Sequence, residues 1–175
     1  MFLVLLPSQA LATVVAQVGW SETYDELVKD MNRLLVGSNG EINVVIIIKW
    51  TRCEYPHVSG VVELYRRNDQ TGMPELQQSK TLFPIPAVTT PQKLDTRRGD
   101  LFGNALQSGR GPNNVLYLDI DNLRYMAKVF FDAMGCYLLR LIRQFFHVLT
   151  YHITRWYHRL LSSRFAVHHS SHNMM

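Results

Sequence analysis

The chain has 175 residues, about the length of one ordinary globular domain, and carries a formal net charge of +4. A hydrophobic fraction of 47% with 18% charged residues excludes a chain that is disordered along its whole length. The two cysteines, Cys53 and Cys136, lie far apart, which excludes a disulfide framework and a CxxC metal pair.

The N-terminal residues 1–12, MFLVLLPSQALA, contain a short apolar run that resembles the end of a signal peptide. No Lys or Arg precedes Lys29, however, and Pro7 interrupts the apolar run. We therefore expect a start inside a longer domain rather than secretion or membrane association. An intracellular location, cytoplasmic or nuclear, follows from this interpretation.

A strand, a helix and a second strand are predicted within the first fifty residues. Residues 11–18 are rich in valine and alanine, as a buried strand would be. Thr23 and Glu26 form a capping box, and apolar residues then recur at helical spacing until Gly37 ends the helix. Residues 42–50, INVVIIIKW, include five consecutive aliphatics, which is typical of a strand covered on both faces. These elements predict a βαβ unit.

Antiparallel strands are predicted next, at residues 58–67 and 76–86, joined by a turn-rich link. The following residues, 87–114, are predicted to be a long irregular loop. A mixed sheet in an α/β fold is therefore expected.

The last predicted elements of this domain are a short strand at residues 115–120 and a helix capped by Asp119 or Asp121. The pattern predicts one α/β domain over residues 1–135.

Residues 136–175 differ abruptly in composition from the rest of the chain. All 14 acidic residues and 13 of the 18 basic residues precede residue 133, so that part has a net charge of −1 and the excess positive charge lies in the tail. Apolar residues recur at helical spacing over residues 136–161, with arginines and histidines mostly on the opposite side. This pattern predicts a basic amphipathic helix, and we expect the His-rich end after it to be disordered.

Such a helix could lie on an anionic membrane surface or dock in the groove of a partner protein. It could instead pack on the sheet of this chain, or be translated from sequence outside the ancestral reading frame. The sequence leaves all of these alternatives open.

Four segments together resemble a group of uncharacterised fungal proteins whose core is similar to the PD-(D/E)XK, restriction-endonuclease-like fold. The segments are VGWSETYDELVKDMNRLLVGSNGEINVVIIIKWTR, VSGVVELYRR, LFPIP and TRRGDLFG. The resemblance covers about residues 7–134 and implies a nuclease-like core that hydrolyses phosphodiesters with Mg²⁺. Catalysis of this kind requires two or three carboxylates that hold the cation.

The resemblance also implies site residues, and several of them are altered here. Gln17 occupies the position of the metal-binding glutamate, and Gly19 occupies the position of a lysine that is common in the superfamily. The aspartate of a preceding strand would fall before Met1, which would leave one edge of the sheet uncovered and open to self-association. Glu22 and Asp30 are the acids near enough in sequence to substitute.

The candidate metal-site residues Gln17 and Glu22, and four candidate nucleic-acid-binding arginines, also have simpler interpretations. Gln17 could be a buried amide bonded to neighbouring backbone, and Glu22 could be an acid that the helix dipole favours in the first turn. Arg66, Arg67, Arg97 and Arg98 could contact a nucleic acid backbone or could be solvated.

We therefore expect a catalytically inactive remnant of a nuclease-like domain, without cofactor or metal. The alternatives are an active Mg²⁺-dependent nuclease with an atypical site, and a binding or membrane-surface module that acts through residues 136–161.

Overall fold

The computed structural model describes residues 2–4, 13–53, 58–87, 90–103, 106 and 108–133. The chain divides into two compact units, Met1–Val129 and Phe130–Met175. The predicted tail helix over residues 136–161 lies outside the described residues. No helix within the described ranges is long and apolar enough to span a membrane.

The described residues contain strands and helices in the order expected for a mixed α/β fold. The strands are β1 (Phe2–Val4), β2 (Val14–Gly19), β3 (Val44–Arg52), β4 (Val58–Arg67), β5 (Pro74–Phe83), β6 (Lys93–Arg97) and β7 (Val115–Asp119). The helices are α1 (Tyr24–Gly37), α2 (Arg98–Phe102) and α3 (Ile120–Ala133).

The predicted βαβ unit is confirmed by the pairing of β2 with β3. These strands are parallel, with Val14 opposite Val44 and Gly19 opposite Lys49, and α1 connects them. The main sheet has the order β1-β2-β3-β4-β5, and its other strand pairs are antiparallel. Residues 44–48 of the central strand β3 are all buried, as five consecutive aliphatics predict for a strand covered on both faces.

The edge of β2 that was predicted to be uncovered is paired in part, because β1 lies beside the first half of this strand in antiparallel orientation. Phe2 lies opposite Ala16, and Val4 lies opposite Val14. On its other side β2 pairs with β3 along its whole length.

The prediction of one irregular loop over residues 87–114 is wrong in part. This segment contains β6 and α2, and β6 pairs with β7 in a second, two-stranded sheet. Leu94 and Thr96 of β6 are buried, whereas the charged residues between and beside them are exposed. The alternation is genuine, but five residues of which three are charged give a weak strand signal.

Helix α1 covers one face of the main sheet. Its buried residues Leu27, Met31 and Leu35 form a cluster with side chains of three strands, which are Val15, Val45, Ile47 and Tyr65. The strand residues of this cluster all have odd numbers. Successive side chains of a strand alternate between the two faces of a sheet, so these residues share one face. Gln17 and Gly19 lie on the same face of the sheet as Val15. Helix α1 therefore also covers the candidate site.

Side-chain caps fix the starts of both long helices. The backbone N–H of Glu26 donates to Thr23 Oγ1 over 3.2 Å, and that of Thr23 donates to Glu26 Oε2 over 2.8 Å, which confirms the capping box. The Glu26 carboxylate accepts hydrogen bonds from the backbone N–H and from the hydroxyl group of Thr23, and these two bonds lower the pKa of Glu26. Asp119 caps α3, since its Oδ1 accepts from the backbone N–H groups of Asp121 and Asn122.

Candidate functional site

Gln17 is buried on the face of β2 against which α1 packs. Only 1% of the residue is exposed. Its amide oxygen Oε1 is buried and accepts no hydrogen bond from any described residue. Burial agrees with the interpretation of Gln17 as a core amide, but the expected bond from neighbouring backbone to this oxygen is not found among the described residues. An unsatisfied buried acceptor costs about 1–3 kcal/mol.

The space above Gly19 is filled by the side chain of Leu27. A Cβ atom built at position 19 would lie 2.6 Å from Cδ1 of Leu27, which packs down from α1. The lysine that the nuclease-like pattern places two residues after the carboxylate would therefore require the Leu27 side chain to move.

Lys49 lies opposite Gly19 on β3 and therefore on the same face of the sheet. Its Nζ donates to the backbone oxygens of Trp20 over 3.2 Å and of Glu22 over 2.6 Å. The ammonium group thereby holds the turn between β2 and α1. Sequence reasoning missed this contact, since Lys49 is simply the polar end of an apolar strand in the sequence.

Glu22 and Asp30 are not brought together with Gln17. Both are exposed, and each uses its carboxylate locally. Glu22 Oε2 accepts the backbone N–H of Trp20 over 3.3 Å, and Asp30 Oδ1 pairs with Arg33 over 3.1 Å. Neither carboxylate supplies the charge that Gln17 lacks.

The buried carboxylate on this face belongs instead to Glu63 of β4. Glu63 lies opposite Ile47, which in turn lies opposite Gln17, so the three residues form one row across the sheet. Glu63 Oε2 accepts from the Tyr24 hydroxyl over 2.8 Å and from the Tyr65 hydroxyl over 3.0 Å. We call Tyr24, Glu63 and Tyr65 the tyrosine-carboxylate cluster.

The two tyrosine hydroxyls of this cluster also lie 2.8 Å apart, within hydrogen-bond distance of each other. The cluster therefore joins the first turn of α1 to the middle of β4. A sequence signal for it existed, because Glu63 is the one charged residue in the apolar stretch from Val61 to Tyr65. Tyr24 falls in the apolar helical pattern of α1, and this pattern does not indicate a polar contact.

Burial raises the pKa of both tyrosines of the cluster above the ordinary value of 10.0. For Tyr65 the hydrogen bonds with Tyr24 and Glu63 and the negative charge of Glu63 raise the pKa further. The phenols are thus held neutral, as donors to the carboxylate. This arrangement stabilises a buried charge, with both phenols donating to Oε2 of Glu63.

We expect the protein to lose stability above about pH 10 because of this cluster. A tyrosine whose pKa is raised on folding contributes stability below the unfolded pKa, and that contribution is lost as the pH rises through the folded pKa. One such tyrosine lowers the free energy of unfolding by up to about 1.4 kcal/mol per pH unit in this window. Urea unfolding at several pH values between about 8 and 11 measures the slope.

The matched variants for this measurement are Tyr65→Phe and Tyr125→Phe. Tyr65 is 8% exposed and lies in the cluster, whereas Tyr125 is 68% exposed. Tyr65→Phe should reduce the slope above pH 10, and Tyr125→Phe should leave it unchanged. Equal slopes for the wild type and Tyr65→Phe would contradict the assigned role of the cluster.

Three of the four arginines predicted to bind nucleic acid come together elsewhere on the first unit. Arg66, Arg67 and Arg97 line one open cavity, to which the ends of β4 and β6 contribute. Arg98 is not among the lining residues, and its backbone N–H donates to the oxygen of Asn114 over 2.8 Å. The structure therefore brings three of the four predicted arginines together at this cavity.

The described residues do not fit the magnesium site that the nuclease-like resemblance implies. Mg²⁺ binding of this type requires carboxylate oxygens that converge on one point. Position 17 carries an amide, Glu22 and Asp30 are used locally, and Glu63 Oε2 is occupied by two phenols. Among the residues that the structure describes, no group of three His, Cys, Asp or Glu side chains could hold a metal ion.

Comparison with known proteins assigns no family: no protein-family model, no curated protein and no solved structure matches this chain.

Proposed function

We propose that residues 1–135 form a non-catalytic relative of the PD-(D/E)XK, restriction-endonuclease-like domains. The parallel βαβ unit and the mixed sheet are compatible with such a core. The single observation that carries the proposal is the state of Gln17, a buried, uncharged side chain whose Oε1 has no partner among the described residues. An amide in this environment contributes far less than a carboxylate to the binding of a hard cation.

The surroundings of Gln17 support the same conclusion. α1 covers this row of the sheet, so a phosphodiester would have to displace the helix to reach position 17. Leu27 fills the space above Gly19, and Lys49 uses its ammonium group to hold the adjoining turn. We infer that these residues stabilise the fold and that the domain does not hydrolyse phosphodiesters.

An assay of the purified full chain tests the proposal. Supercoiled plasmid DNA and single-stranded RNA are incubated with the protein in Mg²⁺ or Mn²⁺, and cleavage is quantified on gels. We expect no cleavage above that of a parallel preparation of the Glu22→Ala variant. Metal-dependent cleavage that co-purifies with the protein in both preparations would contradict the proposal.

Cleavage by the wild type that Glu22→Ala abolishes, with an unchanged melting temperature, would favour the alternative of an active nuclease with an atypical site. A second alternative is a module that binds an anionic membrane or a protein through residues 136–161. It predicts sedimentation with anionic vesicles that added salt weakens.

A further inference from the structure

An open polar cavity of about 700 Å³ lies at one end of the main sheet, away from Gln17. Its lining comes from the turn after α1, the ends of β4 and β6, the start of β5 and α2. The charged lining residues are Arg66, Arg67, Arg97, Asp69, Glu75 and Asp100. The volume is that of a small-molecule site.

The three arginines of the cavity differ in how they are held. Arg66 pairs with Asp100 over 2.9 Å and donates to the backbone oxygen of Asp95 over 3.2 Å, so its guanidinium is fixed in the wall. Arg67 and Arg97 form no ion pair within the described residues. These two guanidiniums are therefore available to an anion.

Two glycine turns lie beside one of the available guanidiniums, that of Arg67. Gly40 and Gly72 both have positive φ angles, of 89° and 69°. Cβ atoms built on them would lie 3.8 Å from Nη1 and 3.4 Å from Nη2 of Arg67. The turns after α1 and after β4 thus lie beside Arg67 on two sides.

The charge balance of the cavity restricts the ligand. Three arginines and three carboxylates line it, so the site has no excess of positive charge. Binding of a nucleic acid strand depends on neutralising several phosphates along a positive surface. A single oxyanion held by two arginines, with carboxylates accepting from hydroxyl groups, fits this balance better.

The uncharged lining points to a hydrophilic ligand. The amide side chains of Gln70 and Gln77 line the cavity and are exposed, whereas Asn68 is already bonded to Glu75 over 3.3 Å. Among the described lining residues there is no aromatic ring on which a nucleobase could stack. Amide and carboxylate groups can instead form hydrogen bonds with the hydroxyl groups of a polyhydroxyl compound.

We propose that this cavity binds the phosphate monoester of a small polyhydroxyl compound, of the sugar-phosphate class. Arg67 and Arg97 hold the phosphate, because guanidinium groups form paired, charge-assisted hydrogen bonds with its oxygens. Gln70, Gln77 and the carboxylates bind the hydroxyl groups. This proposal is independent of whether the domain is catalytic.

Isothermal titration of the full chain with ribose 5-phosphate tests the proposal, with ribose and inorganic phosphate titrated separately. We expect ribose 5-phosphate to bind at least about tenfold more tightly than either control probe. Arg67→Gln and Arg97→Gln should each weaken this binding about tenfold or more. Arg52→Gln makes the same charge change at an exposed residue outside the cavity and should leave the affinity unchanged.

Three results would overturn the proposal. The first is the lack of binding of ribose 5-phosphate up to about 10 mM. The second is inorganic phosphate binding as tightly as ribose 5-phosphate, which would leave no role for the hydroxyl contacts. The third is an equal loss of affinity in Arg52→Gln, which would indicate non-specific charge attraction. If a single-stranded oligonucleotide bound and ribose 5-phosphate did not compete with it, this result would instead support the binding of a nucleic acid strand.

Discussion

Replacing Arg124 by methionine is expected to lower the free energy of unfolding by about 3 kcal/mol. Arg124 lies in α3 and is only 4% exposed. Its Nε donates to the backbone oxygen of Leu82, and its Nη2 donates to Thr81 O and Gln92 Oε1. Methionine fills similar space but leaves these acceptors without a donor, which is the costly part of the change.

The effect should be large because Arg124 joins three parts of the first unit. Nη1 also pairs with Asp121 over 2.7 Å, and Thr81 and Leu82 lie at the end of β5. Arg124→Lys retains the charge but lacks the planar fork of five donors, so it should recover only part of the loss.

Urea unfolding followed by far-UV circular dichroism measures these changes, with Arg33→Met as the matched control. Arg33 forms a pair of the same chemistry with Asp30, but the two side chains are 67% and 51% exposed. Exposed pairs of this kind contribute about 0–1 kcal/mol. If Arg124→Met lost no more stability than Arg33→Met, the anchoring role of Arg124 would be refuted.

Local patterns predicted the first half of the fold well. The capping box of Thr23 and Glu26, the five aliphatics of β3 and the hairpin of β4 and β5 each depend on neighbours in sequence, and all are confirmed. The pairing of β1 with β2 and the β6-β7 sheet were missed. Short strands such as these carry little periodic signal, and their formation depends on partners distant in sequence.

The candidate site was predicted less completely, because its contacts join distant segments. Burial of Gln17 could be anticipated from its apolar neighbours, whereas the lack of a partner for its Oε1 could not. Tyr24 meets Glu63 across 39 positions, and Arg124 meets Leu82 across 42. A charged residue inside an apolar pattern was the available signal in both cases, but the pattern does not identify its partner.

Gln17→Glu, which introduces the carboxylate of the nuclease-like pattern, is expected to lower the free energy of unfolding at pH 7 by about 3 kcal/mol. The new side chain has nearly the same shape, so packing is retained and the change is one of charge. A carboxylate at this position would be desolvated, with the Glu63 carboxylate beyond Ile47 in the same row. Desolvation and the nearby negative charge both favour the protonated form of the new acid. The loss in free energy of unfolding should therefore become smaller as the pH is lowered.

Gln17→Met separates the cost of charge from the cost of losing the amide. Methionine is similar in length and uncharged, and it removes the oxygen that lacks a described partner. It should therefore be less destabilising than Gln17→Glu, and its effect should not depend on pH between about 5 and 7. Equal losses in the two variants would mean that the amide itself, rather than the exclusion of charge, determines this position.

Titration of Gln17→Glu with Mn²⁺ links this stability change to function. A cation that binds the folded state alone raises the melting temperature, and the rise grows with the logarithm of the cation concentration relative to Kd. We expect no greater rise for Gln17→Glu than for Gln17→Met, because α1 covers the position and Glu63 Oε2 is occupied by the tyrosines. A selective rise in Gln17→Glu would instead mean that one substitution recreates a metal site. The domain would then retain the geometry of a nuclease centre, and the proposal of a fold that has lost this centre would have to be abandoned.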